Sequence, residues 1–211
     1  VLILLWVQDE LGFDKFHEKA ERIYLVGLDA KLGNQEFKGA SSPPPMAYAI
    51  MEGFTGIENA TRLYQTPDRV IKYEDRIFTE EDFYYTDSTF FDVFSFIMLQ
   101  GNPESALDEP YSVVITREMK EKYFGERDAL GEVLRIGSSQ DYQITGICEN
   151  VSHQSHFRFD FLTPFSSLQE TEHFDWGSNF IRTYVLLQEN TLAEEINKQF
   201  PNLLEVHFGP I

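Results

Sequence analysis

The densest chemistry in the sequence is His153-Gln154-Ser155-His156, with Glu149 before it and Asp160 after it. On a helix, imidazoles three residues apart share a face, and a carboxylate could complete a zinc site able to activate water for hydrolysis. Here Asn150, Ser152 and Ser155 surround the pair, and strand-like runs lie on both sides. A loop with a turn histidine bonded to backbone is therefore preferred over a metal site. Carboxylates also cluster at Glu80-Glu81-Asp82, at Asp108-Glu109, and at Glu170, Glu172 and Asp175. A pair with one desolvated member can do acid–base work, and a twelve-residue loop of fixed spacing can hold calcium. None shows the D-x-[DN]-x-[DN]-G pattern. With 35 acids in 211 residues such clusters arise from composition alone, and a solvated face is expected.

Cys148 is the one cysteine, so no intrachain disulfide forms and the redox compartment stays undecided. It closes the strand-like run Tyr142–Cys148 with no Lys or Arg beside it, which predicts a buried, inert thiol rather than a nucleophile. Phe90, Phe91, Phe94 and Phe96 could line a site for a lipid or apolar peptide, but core packing is the expectation. Asn59-Ala60-Thr61 and Asn150-Val151-Ser152 match glycosylation sequons, a pattern that recurs by chance. There is no GxGxxG after a strand, no GxxxxGK[ST], no GxSxG and no HExxH; His17-Glu18 continues as Lys19-Ala20-Glu21. No catalytic, cofactor or metal residue is assigned and no enzyme activity is expected. Any ATP-driven role must draw its energy from another polypeptide.

The elements that would position these residues follow from periodicity. Phe13, Phe16, Ala20 and Ile23 form an apolar stripe at helical spacing, and Asp14 suits an N-cap, which predicts a helix over 14–23. Ile23–Ala30 reads as a strand turned back at Gly33-Asn34 into 35–38. Ser41-Ser42-Pro43-Pro44-Pro45 opens a helix with Met46, Ala49 and Ile50 on one face, serine capping it. Strands follow near 57–64, 70–73, 76–79 and 83–85, then a short capped helix within Asp87–Phe96. Next come a strand at Tyr111–Ile115 and a helix Arg117–Phe124, capped by Thr116 and closed by Gly125. Val133–Ile136 and Tyr142–Cys148 form a hairpin, 157–165 and 182–188 read as strands, and Leu192–Phe200 as an amphipathic helix closing at Pro201. The sum is an α+β chain in which one small subdomain is interrupted by another.

Composition supports a folded chain: 42% hydrophobic, 25% charged and 15% aromatic residues. The net charge of −18 and a pI near 4.5 make a phosphate backbone or an anionic bilayer a poor partner, so no nucleic acid is expected. The chain begins at Val1 and ends at His207-Phe208-Gly209-Pro210-Ile211 without a terminal signal, as an excised fragment would. Its apolar opening, Val1–Val7, is too short to cross a membrane alone, since a span needs about 20 residues. It reads either as the tail of a span with Trp6 at the interface or as a buried terminal element.

Four stretches in register resemble one family. They are Phe13–Tyr24; Thr86–Phe96 continuing through Leu99-Gln100-Gly101-Asn102-Pro103 and Ala106-Leu107; Ser112–Thr116 with Lys122-Tyr123-Phe124-Gly125 and Leu130-Gly131; and Ile144–Ile147 with Ser155–Leu162. Together they resemble the extracytoplasmic core domain of MacB/FtsX-type ABC transporter permeases, especially the branch common in Bacteroidetes. The sequence departs at Val151-Ser152-His153, where the family usually carries a proline.

The resemblance implies a split porter-like βαβ subdomain (20–75 plus 182–205) with an inserted β-rich subdomain (76–181). Residues 1–19 become the end of a transmembrane helix and its stalk. It further implies a domain facing the periplasm from the inner membrane, joined to its own transmembrane helices and served by a separate cytoplasmic ATPase. The intact permease would be a homodimer. The function implied is passing ATP-driven motion outward and contacting a substrate or partner protein, with Arg22, Tyr24 and the Phe13/Phe16 stripe as coupling candidates. A periplasmic binding module for a lipid, peptide or lipoprotein is the alternative, and a zinc hydrolase at His153 and His156 a third.

Overall fold

The structure is a computed structural model and describes residues 14–32, 35–137, 140–168 and 174–209. The Val1–Val7 run, Phe13, the Gly33-Asn34 turn, and Glu170 and Glu172 lie outside these residues.

Two compact units emerge, each assembled from separated pieces of chain. The flanking unit joins Glu21–Tyr64 to Leu168–Ile211. Its sheet has β1 (Ile23–Val26) beside β13 (Arg182–Leu187) and β13 beside β4 (Ile57–Gln65), all antiparallel. A separate hairpin pairs β2 (Leu28–Leu32) with β3 (Gln35–Gly39). Among the described residues three α-helices belong to this unit: α1 (Met46–Gly53), α4 (Ala193–Asn197) and α5 (Phe200–Phe208). Strand residues Val26, Ile57, Ala60, Val185 and Leu187 meet Met46, Ala47, Ile50, Ile196 and Leu203 in a single apolar core. Val185 and Leu187 follow the period of two of a sheet face, whereas Ile57 and Ala60, three apart, reach one core because the register shifts where Leu187 pairs with Ile57.

The mid-chain unit comprises Gln65–Ser167 with the N-terminal segment through Ala20. Its mixed sheet runs in the order β7 (Phe83–Thr86), β12 (Phe161–Pro164), β9 (Ser112–Thr116), β11 (Gln140–Cys148), β10 (Val133–Ile136), β5 (Arg69–Tyr73), β6 (Arg76–Glu80). β7 lies parallel to β12 and β9 parallel to β11; the other pairs are antiparallel. Strands β7, β9 and β12 are buried throughout, as parallel-sheet strands tend to be. Helix α2 (Phe90–Val93) is short, and α3 (Arg117–Phe124) follows β9 directly. Thr116 accepts from the Met119 amide to cap α3, and Gly125 closes it at φ 61°. The chain is α+β, as expected.

Several elements differ from their sequence signals. In place of the helix expected over 14–23, residues 14–22 form turns ending in a 3-10 turn at Ala20–Arg22, and Ile23 opens β1. Asp14 sits at φ 57°, not in the extended conformation of an N-cap, and the Glu18 amide donates to Ser95 Oγ instead of a carbonyl four residues back. The strand expected over 23–30 breaks at Gly27. Ser42 does not cap α1: its hydroxyl donates to Thr183 Oγ1 at 2.8 Å. Only 161–164 of the 157–165 run is strand, because Phe157 and Phe159 turn into an aromatic cluster. The helix expected over Leu192–Phe200 is instead α4, which ends at Asn197, and Pro201, expected to close it, stands in the first turn of the next helix, α5, where its missing N–H costs nothing.

Candidate functional site

Three of the four motif stretches converge on one histidine. His17 is 4% exposed, its ring 4.0 Å from that of Phe16, 5.1 Å from Phe94 and 5.0 Å from Phe96, the last edge-on. Phe96 stacks on Phe90, and Phe157 and Phe159 close the layer behind them. Phe90, Phe94, Phe157 and Phe159 are all buried. The Phe-rich segment is therefore filled core. Offset and edge-on ring pairs of this kind add to the stability from buried area alone.

The imidazole has a defined state. The Ser95 amide donates to Nδ1 at 3.1 Å, so the proton resides on Nε2, which has no hydrogen-bond partner among the described residues and lies within the ring layer. Burial holds the His17 pKa down at about 4; the Asp14 carboxylate pulls the other way and His156 adds slightly to the lowering. The ring is neutral at pH 7.

On either side of His17 the segment is tied by polar contacts. The Asp14 amide donates to the Gln154 carbonyl at 2.8 Å, its Oδ1 accepts from the His156 amide at 3.1 Å, and its Oδ2 lies 2.6 Å from His156 Nδ1. These contacts over-determine a left-handed backbone that a non-glycine residue adopts only at a cost. Lys19 donates to the Asp92 carbonyl at 3.0 Å. His156, read from sequence as a turn histidine bonded to backbone, instead pairs with a carboxylate 142 positions away. No sequence signal joins the two, although both lie inside motif stretches.

The remaining sequence candidates disperse. His153 is exposed, and among the described residues no three His, Cys, Asp or Glu come together in a group able to hold a metal ion. Glu149 pairs with Arg117, and Asp160 accepts from the Thr116 hydroxyl at 3.2 Å while burial raises its pKa. Glu80 is buried, accepting from Tyr123 and pairing with Lys122 at 2.7 Å; burial and that carboxylate push the Tyr123 phenol up. Asp175 accepts from Gly177 and Ser178 in a local turn. Cys148 is fully buried, its thiol pushed up to about 12 by burial. In the flanking unit Arg22 bonds to Glu58 and donates to the Leu187 carbonyl at 2.6 Å, while Tyr24 is 42% exposed. The flanking unit also holds a cavity of about 450 Å³ lined by Tyr24, Leu25, Met46, Val185, Ile196 and Phe200 among others, with no charged residue in its wall. Sequence reasoning gave no hint of it, because its walls come from five separated segments. Among the described residues no helix is long and apolar enough to cross a membrane.

The sequence profile of the MacB-like periplasmic core domain matches residues 1–203. No curated protein matches the sequence. Among solved structures, a domain assigned to a permease protein from Porphyromonas gingivalis superposes with a TM-score of 0.78 at 24% identity, covering 90% of this chain and 83% of that one. The periplasmic region of MacB from Actinobacillus actinomycetemcomitans gives 0.66 at 14% identity, covering 93% and 86%. The extracellular domain of the noncanonic ABC-type transporter YknZ from Gram-positive bacteria gives 0.63 at 17%, covering 90% and 94%. At these identities the structures share the fold.

Proposed function

Because the chain belongs to the MacB-like periplasmic core domain family, we propose that it is the periplasm-facing head of an inner-membrane ABC permease, passing ATP-driven motion from the bilayer to a substrate or partner protein. The observation that carries this reading is the family match, which spans nearly the whole chain rather than one motif. In this reading residues 1–19 are the end of a membrane helix and its stalk, 20–75 plus 182–205 the porter-like subdomain and 76–181 the inserted β-rich one; the flanking and mid-chain units overlap these two without sharing their edges. The same reading draws the energy from a separate cytoplasmic ATPase; these 211 residues hold no GxxxxGK[ST] loop of their own. The head carries out no reaction; it needs only two arrangements whose balance nucleotide biases at a distance. The intact permease works as a homodimer. Purification of the permease from membranes tests the reading: a stoichiometric subunit with a GxxxxGK[ST] loop should accompany it, and its absence would contradict the proposal.

One observation favours a binding role beside the mechanical one. The uncharged cavity of about 450 Å³ in the flanking unit lies within the usual volume of a small-molecule site. Its walls suit a hydrocarbon chain, each buried methylene of which gains about 0.8 kcal/mol. A fluorescent fatty acid should bind the chain and lose affinity at least tenfold in Val185→Trp, which fills the cavity. Equal binding by both would remove this second reading.

A further inference from the structure

We propose that Asp14–Lys19 is a clip that seats the N-terminal segment in the mid-chain unit, with His17 as its plug and the Asp14–His156 pair as its lock. The clip is a property of the chain itself; only its use, to take up a pull arriving from the membrane, rests on the permease reading.

Four features carry the inference. First, a short non-helical segment buries a histidine, where a simple connector would bury an apolar residue or nothing. The imidazole fits because it serves two purposes, a ring packed against Phe16, Phe94 and Phe96 and an acceptor for the Ser95 amide. Second, the contacts are reciprocal: Ser95 gives its amide to His17, and its hydroxyl accepts from the Glu18 amide at 3.1 Å. His17 and Glu18 on one side thus interlock with Ser95 on the other, and neither bond forms without seating the segment. Third, Asp14 answers the 152–156 turn with three contacts, while Lys19 answers the end of α2. The segment is tied at both ends and plugged between them. Fourth, the clip lies directly before the point where the chain leaves this unit at Ala20. A pull from the N-terminal side therefore meets the Phe90–Phe159 ring layer before it reaches Arg22 and β1. This shifts the coupling residues from Arg22, Tyr24 and the Phe13/Phe16 stripe, as read from sequence, to Asp14, His17, Ser95 and His156.

Bonds and a plug loaded together resist a pull collectively, whereas a connector held by one contact at a time peels residue by residue. Single-molecule extension of the full 211-residue chain separates these cases. One handle is placed at the N-terminus and the other on Ile77→Cys, an exposed site in β6 of the same unit. The native chain should hold the segment until the mid-chain unit gives way in one step. Asp14→Ala, which removes the lock and leaves the ring layer intact, should add an early low-force step of about 20 Å, the extended length of the six clip residues. His17→Ala should add the same step, and amide exchange at Glu18 and Ser95 should rise at least tenfold in both variants while β9 and β11 stay protected. An early step in the native chain, or identical traces for native and Asp14→Ala, would overturn the clip. Either result would leave the family membership and the ATPase test untouched, so the two readings fail separately.

Discussion

At the scale of single residues, His17 makes the sharpest solution prediction. In the unfolded chain a histidine titrates near 6.5, and in the folded one burial lowers this to about 4. Between those values the unfolded chain takes up a proton that the folded chain refuses. Stability is therefore full above pH 6.5 and falls as the pH drops through the window, by about 3 kcal/mol at its lower end. The raised carboxyl pKa of Asp160 works in the opposite sense, so the native chain alone does not isolate the effect. The difference between native and His17→Leu does: the native urea midpoint should fall relative to that of His17→Leu as the pH falls from 7 to 4. A constant gap would show that the imidazole is not held neutral. His17 was legible only as a failed HExxH. What decides its role is the Phe94–Phe96 backbone more than 70 positions away, and no local spacing reports that. Cys148 was legible, because an uncharged strand-like run around a lone cysteine already implies burial.

Among the elements, strand β8 (Met98–Gly101) was missed because Gly101-Asn102-Pro103 reads as a breaker. In the structure β8 pairs with the C-terminal half of β11, and Gly101 lies opposite Gly146. Gly101 has φ 93°, and a Cβ there would stand 2.4 Å from the Thr145 carbonyl oxygen. Two glycines from separate motif stretches thus occur together because two backbones approach closely. Gly101→Ala should cost more than about 2 kcal/mol by chemical denaturation, since it adds strain at positive φ to a backbone clash. Thr116→Ala should cost about 1 kcal/mol, the usual value of an N-cap. A Gly101→Ala chain as stable as native would mean that β8 does not pair with β11 as described. The Thr116–Gly125 helix was read correctly because both its ends carry their own chemistry. The 14–23 helix was not, because an apolar period of three and four also fits a run of turns whose polar atoms have better partners elsewhere.

For the whole molecule, the α+β class and the order of most strands were legible, since alternation and turn residues are local. The pairing of β9 with β11 across a helix and a hairpin was not, nor was the flanking unit's cavity, because both depend on which distant segments meet. The net charge of −18 opposes adhesion of this chain to an anionic bilayer. The proposed function requires that the head move when nucleotide acts on the far side of the membrane. The most direct measurement uses the permease and its ATPase in nanodiscs, with a donor dye on Ile77→Cys and acceptor dyes on the lipids. Within these 211 residues the buried, high-pKa Cys148 leaves the introduced thiol to react alone, and cysteines elsewhere in the permease and its ATPase are replaced beforehand. Energy transfer should take one value without nucleotide and another with ATP trapped by vanadate. The same value in every nucleotide state would contradict the account.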